Sequence, residues 1–325
     1  MRCTSPRTVG FEADGKTICW SKKKYSKEYS TFQLPCGKCI ECRLEYSRQW
    51  AIRCIHEAQM HEKNSFLTLT YSNENLTSPK LNYEDFQRFM KRLRKVQDAP
   101  MGVFVTGEYG DEEKRPHWHA IIFNWAPNDL VYRRTNVNGD KIYSSRTLGP
   151  YDAEEVSECK QWPRVPLWSF GKCEVGSVTL KSAGYVARYA AKKLIHGKDG
   201  EHEFEPISKK SSKHAIGKKW LETYWSDVFR LGAVAFKDGT TASIPRYYEK
   251  WLKEHKPTEW LAYVTELKIK NMLKASEKSE AEFERWFEEN WQRLNQGRGL
   301  SLTETQRKKI ISEQKFEMLQ AYLKL

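Results

Sequence analysis

The sequence predicts an α+β protein, a mostly antiparallel sheet with helices packed on one or both faces, and three observations carry that expectation. Short stretches rich in β-branched and aromatic residues, such as Phe66-Leu67-Thr68-Leu69-Thr70-Tyr71, read as strands. Between them lie stretches whose apolar residues recur at helical spacing. Two strand-like stretches, 103–109 and 117–123, are joined by a short charged connection and so form a hairpin. With 325 residues, 39% of them hydrophobic, the chain can bury a substantial core.

Taken in order, Gly10-Phe11-Glu12-Ala13-Asp14-Gly15-Lys16-Thr17 matches the nucleotide-binding pattern G-x-x-x-x-G-K-[ST]. A phosphate-cradling loop needs a buried strand before it and a helix after it, and neither is present. Asp14-Gly15 instead reads as a hairpin turn, with Val9 and Phe11 set against Ile18 and Trp20. Cys36, Cys39 and Cys42 follow as C-x-x-C-x-x-C, and a tetrahedral zinc site needs one further ligand, Cys3 or Cys19, of which Cys3 is preferred. Leu44, Ala51, Ile55 and Ala58 predict an amphipathic helix over about 42–62.

After the 66–71 strand, Asn82 caps a helix that buries Phe86, Phe89, Met90 and Leu93 and stops at residues 98–100. The hairpin comes next. Residues 125–166 are loop-like, with room for one small hairpin, and are read as an insertion. Residues 175–180 predict a strand, and a helix starts near Ser182 and runs to Leu194. Lys209, Lys210, Lys213, Lys218 and Lys219 occur with no intervening acid, a basic segment suited to phosphate contact. The last stretch is helical, with Trp286, Trp291 and Leu294 as an apolar seam and a capping box at Thr303–Gln306. The resulting organisation is a Cys-rich segment and helix (1–62), a core (63–200) carrying the insertion, a basic segment (201–255) and a helical region (256–325).

Charge narrows the partners. Lys and Arg number 55 against 42 Asp and Glu, a formal net charge of +13, which calls for a polyanion, with nucleic acid the obvious candidate. No stretch approaches the ~18 apolar residues of a membrane span, and no export signal leads the chain, so a soluble, intracellular protein is expected. The eight cysteines then point to metal ligation or buried thiols rather than disulfides.

The chemistry-bearing residues lie in the core. On a strand, His117 and His119 point to one face while Trp118 points to the other, a pair ready to chelate a cation. If Glu108 stands opposite His117 in the hairpin, it joins them on that face. Two imidazoles and a carboxylate leave open positions that suit Mg²⁺ or Mn²⁺ acting as a Lewis acid. Tyr185 and Tyr189 are spaced i, i+4 on a predicted helix, with Arg188, Lys192 and Lys193 nearby to hold phosphate. A phenol is a poor nucleophile at its free pKa of about 10, so an adjacent cation is needed to favour the phenolate. Tyr189 is preferred as the initiating residue because Lys192 and Lys193 lie within the next turn.

The 66–71 strand, the His117-Trp118-His119 triplet and the Tyr185/Tyr189 helix, in that order, resemble the three motifs of two-tyrosine HUH rolling-circle replication initiators. Cys36-Gly37-Lys38-Cys39-Ile40-Glu41-Cys42-Arg43, Gly107-Glu108-Tyr109-Gly110, Tyr185-Val186-Ala187-Arg188-Tyr189 and Cys3 resemble the gokushovirus branch of the microviruses. The likeness spans about residues 1–255. It departs at Trp118, where a smaller aromatic is usual. It implies a five-stranded RRM-like HUH sheet that nicks single-stranded DNA at the phage origin in the bacterial host cytoplasm. It further implies a 5′-phosphotyrosyl link, joining of the displaced circle by the second tyrosine, and a host polymerase and helicase as partners. A two-tyrosine transposase or relaxase would share the histidines and tyrosines, and a non-catalytic zinc-containing DNA-binding regulator would use the basic surface alone.

Overall fold

The computed structural model describes residues 3–97, 99–110, 115–136, 139–192, 207–211 and 215–323, with side chains described except at 189–192 and 319–323. The chain forms two compact units, residues 46–252 and residues 1–45 together with 253–325.

In the smaller unit, β1 (Arg7–Phe11) pairs with β2 (Ile18–Cys19) and with β3 (Phe32–Leu34). The register Phe11↔Ile18 makes the Asp14-Gly15 stretch a hairpin turn, as its chemistry dictates: Asp14 accepts from the backbone of Lys16 and Thr17, and Gly15 has φ +63°. The next α-helix, α1 (Ile40–Ala58), starts far downstream, so the phosphate-loop pattern is a coincidence of letters. The division between the units falls inside α1.

The larger unit continues with β4 (Asn64–Thr70), α2 (Tyr83–Val96), β5 (Gly102–Tyr109) and β6 (Pro116–Phe123). Asn82 caps α2, accepting from Glu84 N–H at 3.1 Å. The 125–166 stretch supplies β7 (Val131–Thr135), β8 (Lys141–Ser144) and the short α3 (Ala153–Glu158). Then come β9 (Cys173–Gly176), α4 (Leu180–Lys192), β10 (Ile207–Lys210), α5 (Lys218–Leu231), β11 (Val234–Ala235), β12 (Thr241–Ala242) and α6 (Arg246–His255). The smaller unit closes with α7 (Pro257–Tyr263), α8 (Ile269–Asn295) and α9 (Glu304–Leu323).

A seven-stranded sheet in the order β10-β5-β6-β4-β9-β8-β7 organises the larger unit, and each neighbouring pair runs antiparallel. The resemblance implies five strands. The difference is the β7–β8 hairpin, which adds to the edge at β9 through Tyr143↔Val175. The 175–180 strand also shortens: it ends at Gly176, and Thr179 caps α4 by accepting from Ser182 N–H at 3.1 Å while Ser182 Oγ accepts from Thr179 N–H at 2.8 Å. Leu180 therefore belongs to the helix.

Strand alternation sorts side chains to two cores. On one face Leu67, Leu69, Val105, Trp118 and Ala120 pack against Phe86, Phe89 and Leu93 of α2. On the other, Phe104, Ile121 and Phe123 meet Trp50, Ala51 and Cys54 of α1 and Ala183, Val186 and Ala187 of α4. Ser47 Oγ donates to the Ala187 carbonyl at 3.0 Å, tying α4 to α1. Trp118 is fully buried and donates to Tyr71 Oη at 2.9 Å. A Cβ at Gly107, opposite it, would fall 2.6 Å from its ring, so glycine here makes room for the indole.

In the smaller unit, Thr303 N–H donates to Gln306 Oε1 and Gln306 N–H to Thr303 Oγ1, the reciprocal capping box of α9. The seam expected from Trp286, Trp291 and Leu294 divides: Trp286 is half-buried and donates to the Ser301 carbonyl, whereas Trp291 and Leu294 are exposed. Their angular separation on a 3.6-residue helix puts them on neighbouring rather than shared stripes.

Candidate active site

The pairing of β5 with β6 sets Glu108 opposite His117 and Thr106 opposite His119, so parity delivers Glu108, His117 and His119 to one face. His117 Nε2 lies 2.9 Å and His119 Nε2 2.7 Å from Glu108 Oε1. Glu108 and His119 are buried, at 3% and 6% exposure, while His117 is half-buried and closest to solvent. Burial pushes the Glu108 carboxyl up, but the flanking imidazoles outweigh it and hold it below the usual carboxylate range. Burial pulls His119 down, favouring the neutral ring that can ligate a metal.

Two observations fit a cation here. Glu108 Oε2 is buried without a hydrogen-bond partner among the described residues, a costly state for a carboxylate oxygen. His117 Nδ1 lies 3.0 Å from the Arg115 carbonyl, which can only accept. In the neutral ring the Nε2 lone pair then faces the carboxylate, and two electron-pair donors face to face require a cation between them.

Above this group stands α4. The Tyr185 hydroxyl donates to Glu108 Oε1 at 3.4 Å, and its ring packs edge-on against His119 with centroids 4.9 Å apart. The Arg188 guanidinium lies 6.0 Å from the Tyr185 ring centroid. Tyr189 and Lys192 belong to α4, but their side chains lie outside the described residues, as does all of Lys193.

The basic segment is not one patch. Lys209 pairs with Val105 and Lys210 with Phe104, so alternation sends them to opposite faces: Lys209 Nζ toward the Tyr83 ring at 5.8 Å, Lys210 Nζ over the Trp50 ring at 4.0 Å. Lys210 is on the face that carries the Glu108 group. Lys218 and Lys219 start α5, exposed, with Lys218 3.5 Å from Glu222. Lys213 lies outside the described residues.

A second group, in the smaller unit, gathers Cys3, Cys36, Cys39 and Cys42, with sulfurs all within 4.8 Å of one another. Gly37 at φ +74° closes the turn, and Cys36 Sγ accepts from Lys38 and Cys39 N–H at 3.4 and 3.3 Å. Although burial pushes the Cys36 thiol up, these bonds bring it down to about 7, toward the thiolate that metals bind. Cys19, the other candidate, is buried elsewhere and donates to the Ser21 carbonyl.

Sequence reasoning passed over Thr68, whose Oγ1 lies 3.2 Å from His119 Nδ1, and the Arg115 carbonyl on His117. The signal for Thr68 was present: Thr68 and Thr70 alternate with Leu67 and Leu69, so one threonine face had to meet the histidine face of β6.

Fold and site together define an α+β protein with a large antiparallel sheet, a Cys-rich N-terminus and two side-chain groups able to hold metal ions. Residues 64–194 match the replication-associated protein ORF2 family. The replication-associated protein VP4 of Bdellovibrio phage phiMH2K is 43% identical over 333 residues, 100% of both chains. The replication-associated protein ORF4 of Chlamydia phage 1 is 33% identical over 70% of this chain and 55% of its own length. The replication-associated protein ORF2 of Spiroplasma virus 4 is 28% identical over 73% of each. No solved structure matches. The chain belongs to the family of phage replication-associated proteins, in agreement with the motif resemblance.

Proposed function

We propose that the protein initiates rolling-circle replication of a single-stranded DNA phage genome as an HUH-type endonuclease, nicking and rejoining the origin strand through tyrosine. The observation that carries this reading is the Tyr185 hydroxyl on Glu108, beside His117 and His119. The sheet without its β7–β8 hairpin has the five strands of the HUH expectation. The chemistry is assigned to residues 63–200 and DNA affinity to Arg188 and the lysines at 192–193 and 209–219.

In the reaction the Tyr185 or Tyr189 phenolic oxygen attacks the scissile phosphorus. The bond from phosphorus to the 3′ oxygen breaks, the 3′ oxygen takes up a proton, and the DNA 5′ end remains as a phosphotyrosine. For Tyr185 the proton acceptor within reach is Glu108 Oε1. Glu108, His117 and His119 would hold Mg²⁺ or Mn²⁺, which supplies Lewis-acid polarisation of the phosphate. Cys3, Cys36, Cys39 and Cys42 would hold a zinc ion as a structural brace. The freed 3′-OH suits extension by a host polymerase, with a host helicase opening the duplex ahead, as the family resemblance implies.

Incubation with single-stranded origin DNA and Mn²⁺, followed by denaturing electrophoresis, tests the reading. A covalent protein–oligonucleotide band is expected. Its absence, with binding retained, would favour a non-catalytic DNA-binding regulator.

A further inference from the structure

The most anomalous surface in the smaller unit is an apolar stripe along α8. Phe283, Phe287 and Trp291 are 59%, 55% and 60% exposed and stack in file, with centroids 6.4 and 6.3 Å apart. Ile269, Leu273 and Leu294, also exposed, continue the file in both directions. The positions follow one another at steps of three or four residues, interrupted only by Ser276 and Glu280, as in a helix that pairs along a seam. This stripe is not the face that α8 turns to α9. That face carries Trp286 and Asn290, which bond to Ser301, and Glu282, 3.6 Å from Lys308. Exposed apolar surface of this extent marks an interaction site rather than ordinary surface scatter.

The flanking charges indicate what covers it. The first half of α8 carries Lys270, Lys274 and Lys278 against one acid, Glu277. The second half, through Asn290, carries Glu280, Glu282, Glu284, Glu288 and Glu289 against Arg285. The helix is thus basic at its start and acidic toward its end, and an antiparallel second copy reverses that order. We propose that α8 is a self-association surface: two copies of the chain pair antiparallel along this stripe about a two-fold axis, basic half against acidic half. A parallel pair would set lysines against lysines and glutamates against glutamates, which is destabilising. A 27-residue helix extends about 40 Å. Side chains of this size along that length offer roughly 800 Å² per copy, the scale of one side of a stable interface.

Sedimentation equilibrium of the full chain tests the proposal. A species of twice 38.2 kDa is expected at concentrations on the order of tens of micromolar. Phe287→Glu with Trp291→Glu should give a folded monomer, since both side chains are already exposed. Lys270→Glu with Lys274→Glu should weaken association about tenfold or more, and adding Glu284→Lys and Glu288→Lys in the same chain should restore it. A monomeric wild-type chain overturns the proposal. So does a dimer indifferent to the aromatic pair, or a charge reversal that the compensating reversal fails to rescue.

Discussion

Thr68 Oγ1 lies 3.2 Å from His119 Nδ1, on the side of the ring opposite Glu108. That contact selects the tautomer. With Nδ1–H donating to the threonine, the Nε2 lone pair is presented to the carboxylate, which is the form a metal requires. Thr68→Val keeps shape and removes the acceptor, so Mn²⁺ affinity measured by calorimetry should fall by about 10- to 100-fold while the melting point shifts little. Thr68→Ser should recover most of the affinity. Equal Mn²⁺ affinity in wild type and the Val variant would show that the hydroxyl does not orient the ring. His119→Ala, which removes a proposed ligand outright, should abolish measurable binding.

The four-sulfur group predicts a stability effect separate from the chemistry. Closed sulfur sites contribute folding energy, because the unfolded chain has no preformed site. Cys36→Ser should release zinc and lower the melting temperature by at least about 5 °C. Cys19→Ser should leave the zinc content intact, since its sulfur bonds to the Ser21 carbonyl. Protein purified without chelator that contains no zinc by elemental analysis would refute the structural-metal reading.

His56 links stability to pH. Its ring stacks on Trp220 at 3.4 Å between centroids, Nδ1 lies 2.8 Å from Tyr248 Oη, and burial pulls its pKa down to about 3. The unfolded chain binds a proton near pH 6.5, the native chain only near 3, so between those values the unfolded state holds more protons. Stability from this group is therefore full above about pH 6.5 and is lost as pH falls toward 3, by up to a few kcal/mol. His56→Phe retains the stacking but leaves the Tyr248 hydroxyl without that partner, so it should be less stable at pH 7 by about 1–3 kcal/mol. Its loss of stability from pH 7 to 4 in urea titrations should nevertheless be smaller than in wild type. Parallel stability–pH curves would remove His56 as the linked group.

Much of this site could be read from strand parity. Once 103–109 and 117–123 are paired with Glu108 opposite His117, the shared face follows with no further information. The Asp14-Gly15 turn and the Thr303–Gln306 box were equally legible, because a few local bonds decide them. What escaped was decided at longer range. β7 is exposed along its length and lacks alternation, so nothing in Val131–Thr135 announces that it extends the sheet. Lys209 and Lys210 read as a continuous charge run until β10 is recognised as a strand, and then they must separate. The joining of residues 1–45 with 253–325 in one unit rests on contacts between chain ends, which periodicity does not encode.

Tyr185 and Tyr189 give the sharpest test of the proposed reaction. Their i, i+4 spacing on α4 presents both from one side of the helix, and the hydroxyl of Tyr185 already lies on Glu108. That position favours Tyr185 for the first attack, against the preference for Tyr189 drawn from the spacing of Lys192 and Lys193. Phe at either position preserves packing and removes only the nucleophilic oxygen. Each single Phe variant should therefore still form an adduct with an origin oligonucleotide, with Tyr185→Phe the slower of the two. Release of a closed circle needs one tyrosine holding DNA while the other attacks, so both single variants should lose circle formation more than first-strand nicking. The double variant should bind DNA with the salt dependence of wild type, because the basic surface is untouched, yet give no covalent band. A phosphotyrosyl adduct on the double variant would place the nucleophile outside α4.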